Sequence, residues 1–294
     1  MEKTILYGNG LNYLSKDATG WTELLDILMR DDKFDMSFLP NIMTYERIRL
    51  NWNKSTDTIH LKSKISDLLK NQPTNEFYGK ILNLGVKNFL STNYDYAINK
   101  AWADLTEVNN SSEDLYSIRR NTSLLKDGKE IAKIWNIHGE IRQPKSIMLG
   151  LNHYCGSIGK INGYLKGTYD FRDKGQKQDI LSIDDKLKSN TFDKYSWIEL
   201  FFNTNVHIAG FGLDFSEIDL WWILNKRARL KEDNLVKNKV FYYTKPIEEV
   251  TKEVDVEMRR REMLEAFDVT IYTISTKEGY EHQWNNIIEH IKSS

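Results

Sequence analysis

Three short segments, each closing an apolar run, hold residue types that can do chemistry: Gly8-Asn9-Gly10-Leu11-Asn12, Ser91-Thr92-Asn93-Tyr94-Asp95 and Asn136-Ile137-His138-Gly139. Glycines let a backbone approach a pyrophosphate closely and turn its N–H groups toward it. The Asn93 carboxamide offers donor and acceptor on one planar group, enough to bind a ribose hydroxyl or hold a water, and Asp95 can brace its loop or reach a hydroxyl itself. A histidine such as His138 can take a proton from a hydroxyl or from water, a role typically worth ~10²- to 10⁴-fold in rate. Together the three segments predict a nucleotide site.

Each segment alone has a plainer reading. The glycine loop could be a strand-to-helix turn, Asn93 and Asp95 turn caps, and His138 a satisfied core histidine. Their company carries the reading. A fourth segment, Gly210-Phe211-Gly212-Leu213-Asp214, repeats the strand-glycine-helix arrangement. Ser216 and Asp219 then have capping-box spacing before Leu220, so they face either the helix cap or a ligand ribose. A dehydrogenase fingerprint needs a third glycine and an acidic residue at the end of a second strand about 20 positions on. Here the equivalent stretch reads as helical, so a conventional dehydrogenase fits poorly. His153 and Cys155 are spaced like two metal ligands, but nothing nearby completes a set, so no metal is expected.

The elements that must position these residues alternate. Residues 4–7, 86–90, 131–135, 205–209, 240–243 and 269–274 read as strands, the first three as buried ones. Residues 20–30, 45–50 and 59–69 carry helical spacing, a helix is expected near Tyr96, and the glycine-rich stretch 150–190 reads as loops around short helices. The expected fold is α/β: one domain over 1–294 with a Rossmann-like parallel sheet of about six strands and helices on both faces. Insertions at about 20–80 and 150–195 would form a smaller, mostly helical module. The polar turns then meet at one sheet edge, where open α/β sheets bind ligands.

Bulk properties narrow the partners. Forty-one Lys and Arg against 42 Asp and Glu leave a formal charge of -1, so no global field attracts nucleic acid or an anionic membrane. The basic runs at Lys226, Arg227, Arg229 and Lys231 and at Arg259, Arg260 and Arg261 read as solvated helix faces, which argues against direct nucleic-acid binding. No apolar run reaches membrane-spanning length, and Met1-Glu2-Lys3 leads into a strand without a secretory signal, so the expected compartment is the cytoplasm. The single cysteine, Cys155, excludes an intramolecular disulfide and a four-cysteine zinc site.

In order, spacing and strand context over roughly residues 1–275, the segments resemble the Sir2 family, in its bacterial Sir2-like branch associated with NAD hydrolysis and antiphage defence. Gly8-Asn9-Gly10 matches the first glycine loop, Thr92-Asn93-Tyr94-Asp95 the segment carrying the family's Thr, Asn and Asp, His138-Gly139 the catalytic histidine, and Gly210-Phe211-Gly212 the later nucleotide loop. Protein deacylases of that family also carry a Pro-Asp-Phe-Arg-like stretch soon after the glycine loop and a four-cysteine zinc ribbon. This chain has neither, and Asp170-Phe171-Arg172 lies far from the required place.

The resemblance implies NAD+ as substrate, no metal, and hydrolysis of the nicotinamide–ribose bond to nicotinamide and ADP-ribose. It implies that Asn93 orients water and ribose, that Asp95 supports the ribose or its loop, and that His138 contacts a hydroxyl and accepts a proton. Gly8, Asn9, Gly10, Gly210 and Gly212 would hold the phosphates and the adenosine half, with Asn12, Thr92, Gly139, Phe211 and Asp214 completing the dinucleotide contacts. Because an unchecked NAD hydrolase would poison its own cell, control by a homo-oligomer or a separately encoded regulatory partner is expected. The rivals are a non-catalytic NAD or ADP-ribose sensor, an NAD-dependent deacylase or ADP-ribosyltransferase, and a structural interaction module.

Overall fold

The apolar run at the start of the chain forms strand β1 (Lys3–Tyr7), buried over its last four residues. In the computed structural model, which describes residues 1–29, 34–36, 39–52, 58–110, 113, 115–173, 175–247 and 252–294, three helical segments follow it. These are α1 (Trp21–Met29), α2 (Asn41–Asn51) and α3 (Thr58–Leu69); residue 30, the expected end of the first, lies outside the described residues. Then come α4 (Glu76–Leu82), β2 (Asn88–Ser91), β3 (Thr106–Asn110), β4 (Asn121–Lys126) and β5 (Lys129–Asn136). The next stretch holds α5 (Leu151–Leu165), the short hairpin strands β6 (Arg172–Asp173) and β7 (Gln176–Lys177), α6 (Ile183–Ser189) and α7 (Leu200–Asn203). The chain closes with β8 (Asn205–Ala209), α8 (Ile218–Glu232), β9 (Val240–Thr244), α9 (Lys252–Ala266), β10 (Val269–Thr273) and α10 (Tyr280–Ser293).

The main sheet has eight strands in the order β10-β9-β8-β1-β2-β5-β4-β3, two more than the six expected. The six expected strands are the parallel ones. The additions, β3 and β4, pair antiparallel at the β5 edge. β3 is exposed along its whole length, so no apolar periodicity announces it. The helix expected near Tyr96 is only a 3-10 turn, Ile98–Lys100. Conversely, α5 runs fifteen residues through the stretch expected as loops around short helices, longer than that reading allowed. Its glycines hid it, and Gly156 is there because a Cβ would meet the Tyr116 ring at 2.5 Å.

Alternate residues of each central strand feed opposite faces, as the two-residue strand period requires. Leu6, Leu90, Trp135, Val206 and Ile208 join a core shared with α5, α6, α7 and α8. Ile5, Tyr7, Phe89, Ile134 and Ala209 join the opposite core under α4 and α10. Full burial of α10's Trp284, Ile287 and Ile291 contributes roughly 1.5–3 kcal/mol per side chain, which anchors that helix behind the loops after β1 and β8. The two insertions differ. Helices α1–α3 have their own apolar cluster, closed by Tyr94, Ile147 and Leu149, whereas α5 and α6 pack into the sheet's core. Among the described residues, no helix is long and apolar enough to cross a membrane.

Candidate active site

Register brings the four sequence segments together. Tyr7 sits opposite both Ser91 and Ala209, and Ser91 opposite Asn136, so β8, β1, β2 and β5 end in one row. From β1 the chain crosses to β2 on one side and later returns to β8 on the other, which makes the β1/β8 boundary a switch point where a crevice opens. A cavity of about 380 Å³ lies there, within the range of small-molecule sites. Asn9, Gly10, Thr92, Asn93, Asp95, His138, Gly210, Phe211, Gly212 and Asp214 all line it.

Gly8, Asn12 and Gly139 do not line it; each stands behind the wall and shapes it. A Cβ on Gly8 would lie 2.7 Å from the Phe211 ring, so this glycine lets the two loops close. Gly139 has a φ of +95°, and a Cβ there would meet the Ser146 carbonyl, so it seats the segment of Met148 and Leu149 beside His138. Met148 N–H accordingly donates to the His138 carbonyl at 2.9 Å. Asn12 is fully buried. It donates to Asn9 Oδ1 at 2.8 Å and Asp95 Oδ2 at 2.9 Å, and accepts from the Tyr78 hydroxyl at 2.5 Å.

The first glycine loop does not open an α-helix. A 3-10 turn, Asn12–Leu14, follows it, and Gly10 N–H is spent on the Gly210 carbonyl at 2.8 Å. A Cβ on Gly10 would come within 2.6 Å of Gly210 Cα, so only glycine permits this contact. The loops are clamped from behind: the Tyr280 hydroxyl donates to Gly10 O at 2.8 Å, and Gly210, at φ +61°, abuts Trp284. Gly212 differs. A Cβ there meets nothing within 4 Å, so the wall is open for a ligand to approach its backbone.

Asn93 and Asp95 follow β2 and play unlike parts. Asp95 is held by Asn12 and by Ala97 N–H at 2.9 Å; burial raises its pKa, and these two bonds oppose the rise. Asn93 is 8% exposed, and its Nδ2 makes no hydrogen bond, although Asn93 lies near enough to the Tyr78 hydroxyl to temper that phenol's raised pKa. A buried unpaired amide costs free energy, so a site with such a group has a donor ready for a ligand oxygen or a water.

His138 sits between two carboxylates. Its Nε2 is 3.1 Å from Asp219 Oδ2, and its Nδ1 is 3.7 Å from Glu217 Oε2. Burial alone would lower the imidazole pKa, but Asp219 and then Glu217 outweigh it and hold the pKa up at about 9. Glu217 is pushed up to about 7, chiefly by burial, with His138 opposing and Asp219 assisting. The Tyr154 hydroxyl donates to Glu217 Oε2 at 2.7 Å, and its ring meets the His138 ring edge-on at 5.7 Å. Atoms of His138, Glu217 and Asp219 lie within 4.8 Å of one another, a spacing that can also converge on a metal ion. The direct His138–Asp219 contact is that of a hydrogen-bonded ion pair, and we read the cluster so.

Sequence reasoning missed Glu217 and Tyr154, and offered Asp219 as a helix cap or a ribose contact. The capping box is absent: Ser216 Oγ donates to Asp214 Oδ1 at 2.6 Å, and Glu217 occupies the N-cap position of α8 without a side-chain cap. Two acids directly after a glycine loop were the available signal. Tyr154, 63 residues from Glu217, had none. His153 and Cys155 do not converge on a ligand. His153 Nδ1 accepts from Gly150 N–H at 3.1 Å at the start of α5, and Cys155 is exposed.

A protein-family model described as a SIR2-like domain matches residues 87–213. That span includes the Thr92–Asp95 segment, His138 and the Gly210–Gly212 loop, three of the four segments that meet at the cavity. No curated protein matches the chain. Sir2-like domains use NAD+, and a dinucleotide suits a crevice at the switch point of a Rossmann-like sheet. Over residues 87–213, the chain is similar to SIR2-like domains.

Proposed function

We propose that the protein is an NAD+ glycohydrolase that cleaves the nicotinamide–ribose bond with water as acceptor, releasing nicotinamide and ADP-ribose. The observation that carries this reading is the shared cavity of Asn93 and His138. One brings an unpartnered buried amide, the other an ionised cluster, and both face the space between the two glycine loops.

Loss of neutral nicotinamide spreads positive charge over the ribose. Catalysis therefore rests on positioning and on fixed negative charge near that ring. Asp95, Asp214 and Glu217 line the cavity, and among its described wall residues there is no Lys or Arg, which favours a cationic transition state. Asn93 orients the water and the ribose, Asp95 braces the loop carrying Asn93, and the His138 cluster contacts a ribose hydroxyl and handles the proton. Asn9, Gly10, Thr92, Gly210, Phe211, Gly212 and Asp214 enclose the rest of the dinucleotide. Gly8, Asn12 and Gly139 act from behind.

Activity of this kind drains a cell of NAD+, and we propose that it serves antiphage defence in the cytoplasm and is held in check by self-association or by a separately encoded partner. A purified monomer fully active at cellular NAD+ concentrations would overturn that control. The deciding assay follows nicotinamide release from NAD+ by the native chain and His138→Ala, with any activating partner present. Release by the native chain and at least ~10²-fold less by the variant supports the hydrolase. Tight NAD+ binding without release favours a sensor, and product that depends on a protein acceptor favours a transferase or deacylase.

A further inference from the structure

The His138 ring has no nitrogen left to receive a proton. Nε2 faces the fully buried Asp219 carboxylate at 3.1 Å and Nδ1 faces Glu217 at 3.7 Å, so each ring nitrogen needs its hydrogen where it stands. An imidazole between two carboxylates is held as an imidazolium, here hydrogen-bonded to Asp219 and at ion-pair distance from Glu217. Glu217 is placed otherwise. It lines the cavity, and both its contacts, with Tyr154 and with His138, fall on Oε2, while Oε1 makes no hydrogen bond.

We propose that Glu217 is the proton acceptor of the hydrolytic step, with His138 and Asp219 as the ion pair that positions it. This assignment rests on the glycohydrolase reading and deepens it. As the bond between C1′ of the ribose and the nicotinamide nitrogen breaks, its electron pair goes to the ring, which leaves as neutral nicotinamide. A water oxygen forms the new bond to C1′, and one of its protons passes to Glu217, from which it returns to solvent. The positive charge on His138 stays constant throughout, and Asp219 keeps that charge from being exposed alone to the ribose cation. A carboxylic acid held up at about 7 suits the task, because a base titrating near working pH combines a large ionised fraction with useful basicity. Besides burial, the groups that set its titration are His138 after β5, Asp219 on α8, Tyr154 on α5 and Asp214 after β8, and Tyr94 after β2 also lies within its field.

The test compares the native full chain with Glu217→Gln and Glu217→Asp under conditions in which the native chain releases nicotinamide. It measures calorimetric NAD+ affinity and kcat between about pH 5 and 9. The proposal expects the Gln variant to bind NAD+ within about threefold of native while kcat falls ~10²- to 10⁴-fold and the acid limb of the profile disappears. The Asp variant, which also serves if the Gln variant fails to fold, should keep a displaced acid limb. Nitrogen NMR of the native protein at neutral pH should show both His138 ring nitrogens protonated. A Gln variant that keeps its rate and acid limb, or a neutral His138, overturns the assignment and returns the proton to the histidine. A native chain that binds NAD+ and releases no nicotinamide overturns the glycohydrolase reading together with it.

Discussion

Asn12 donates to Asp95 across 83 residues of sequence, tying the loop after β1 to the loop after β2 through two buried side chains. The same carboxamide holds Asn9 and receives Tyr78, so three partners converge on a side chain with no solvent access. It is a positioning device for the two loops that frame the cavity.

Asn12→Ala should therefore destabilise the fold more than a surface change does. It leaves the Asp95 carboxylate and the Tyr78 hydroxyl short of buried partners, at about 2 to 4 kcal/mol in total. Urea denaturation checks this. Asn12→Asp keeps the size but sets a second carboxylate against Asp95, so its deficit should grow as pH rises, and equal deficits at acid and neutral pH would contradict the account.

Glycine positions separate closure from contact. Gly10→Ala drives a Cβ into Gly210 and should prise the two loops apart, costing about 1–3 kcal/mol and abolishing NAD+ binding. Gly212→Ala has open space around its Cβ and a φ outside the left-handed region, so its stability should match native. A methyl on that wall should still weaken NAD+ affinity roughly tenfold, about 1.4 kcal/mol, by standing where ligand approaches. Paired melting curves and calorimetry distinguish the two effects.

Much of this was legible in the chain because polar residues directly after buried strands have few other uses. The row Tyr7, Ser91, Asn136 and Ala209 follows from strand ends readable in sequence, and parallel register does the rest. Illegible elements were those whose burial pattern lacks contrast. β3 faces solvent along its length, and α5 carries glycines that signal loops until Tyr116 is seen against one of them. Within the site, Asp219 obeyed a local capping rule that tertiary charge overrides: its carboxylate turns to His138, a partner 81 residues away. Tyr154 and Glu217 meet only through tertiary packing, which no local spacing encodes.

Stability should fall as pH rises through the cluster. The His138 pKa moves from 6.5 unfolded to about 9 folded, so the stability it contributes is complete below 6.5 and is lost as pH climbs through 9. Glu217 moves in the same direction, from 4.5 to about 7, and loses its share over that lower window. At most about 3 kcal/mol is at stake for His138. Denaturation midpoints between pH 6.5 and 9 should slope downward in the native chain and flatten in Asp219→Asn, which removes the main source of the histidine's shift. A slope identical in both proteins would contradict the ion-pair account.

Asn93 and His138 face the same cavity, yet their removal should cost different things. Asn93 Nδ2 makes no hydrogen bond in the fold, so Asn93→Ala deletes an unsatisfied donor and should leave stability within about 0.5 kcal/mol of native or slightly above it. The same variant should lose ~10²-fold or more in nicotinamide release, because nothing then holds the water against the ribose. His138→Ala strands the fully buried Asp219 carboxylate without its cation, a loss of about 3–5 kcal/mol when one partner of a buried pair is removed. Its catalytic defect is then compounded by partial unfolding. Activity corrected for the folded fraction, measured for both variants at one temperature, separates chemistry from stability. If Asn93→Ala proves as unstable as His138→Ala, the amide is a structural strut and the water must be held elsewhere.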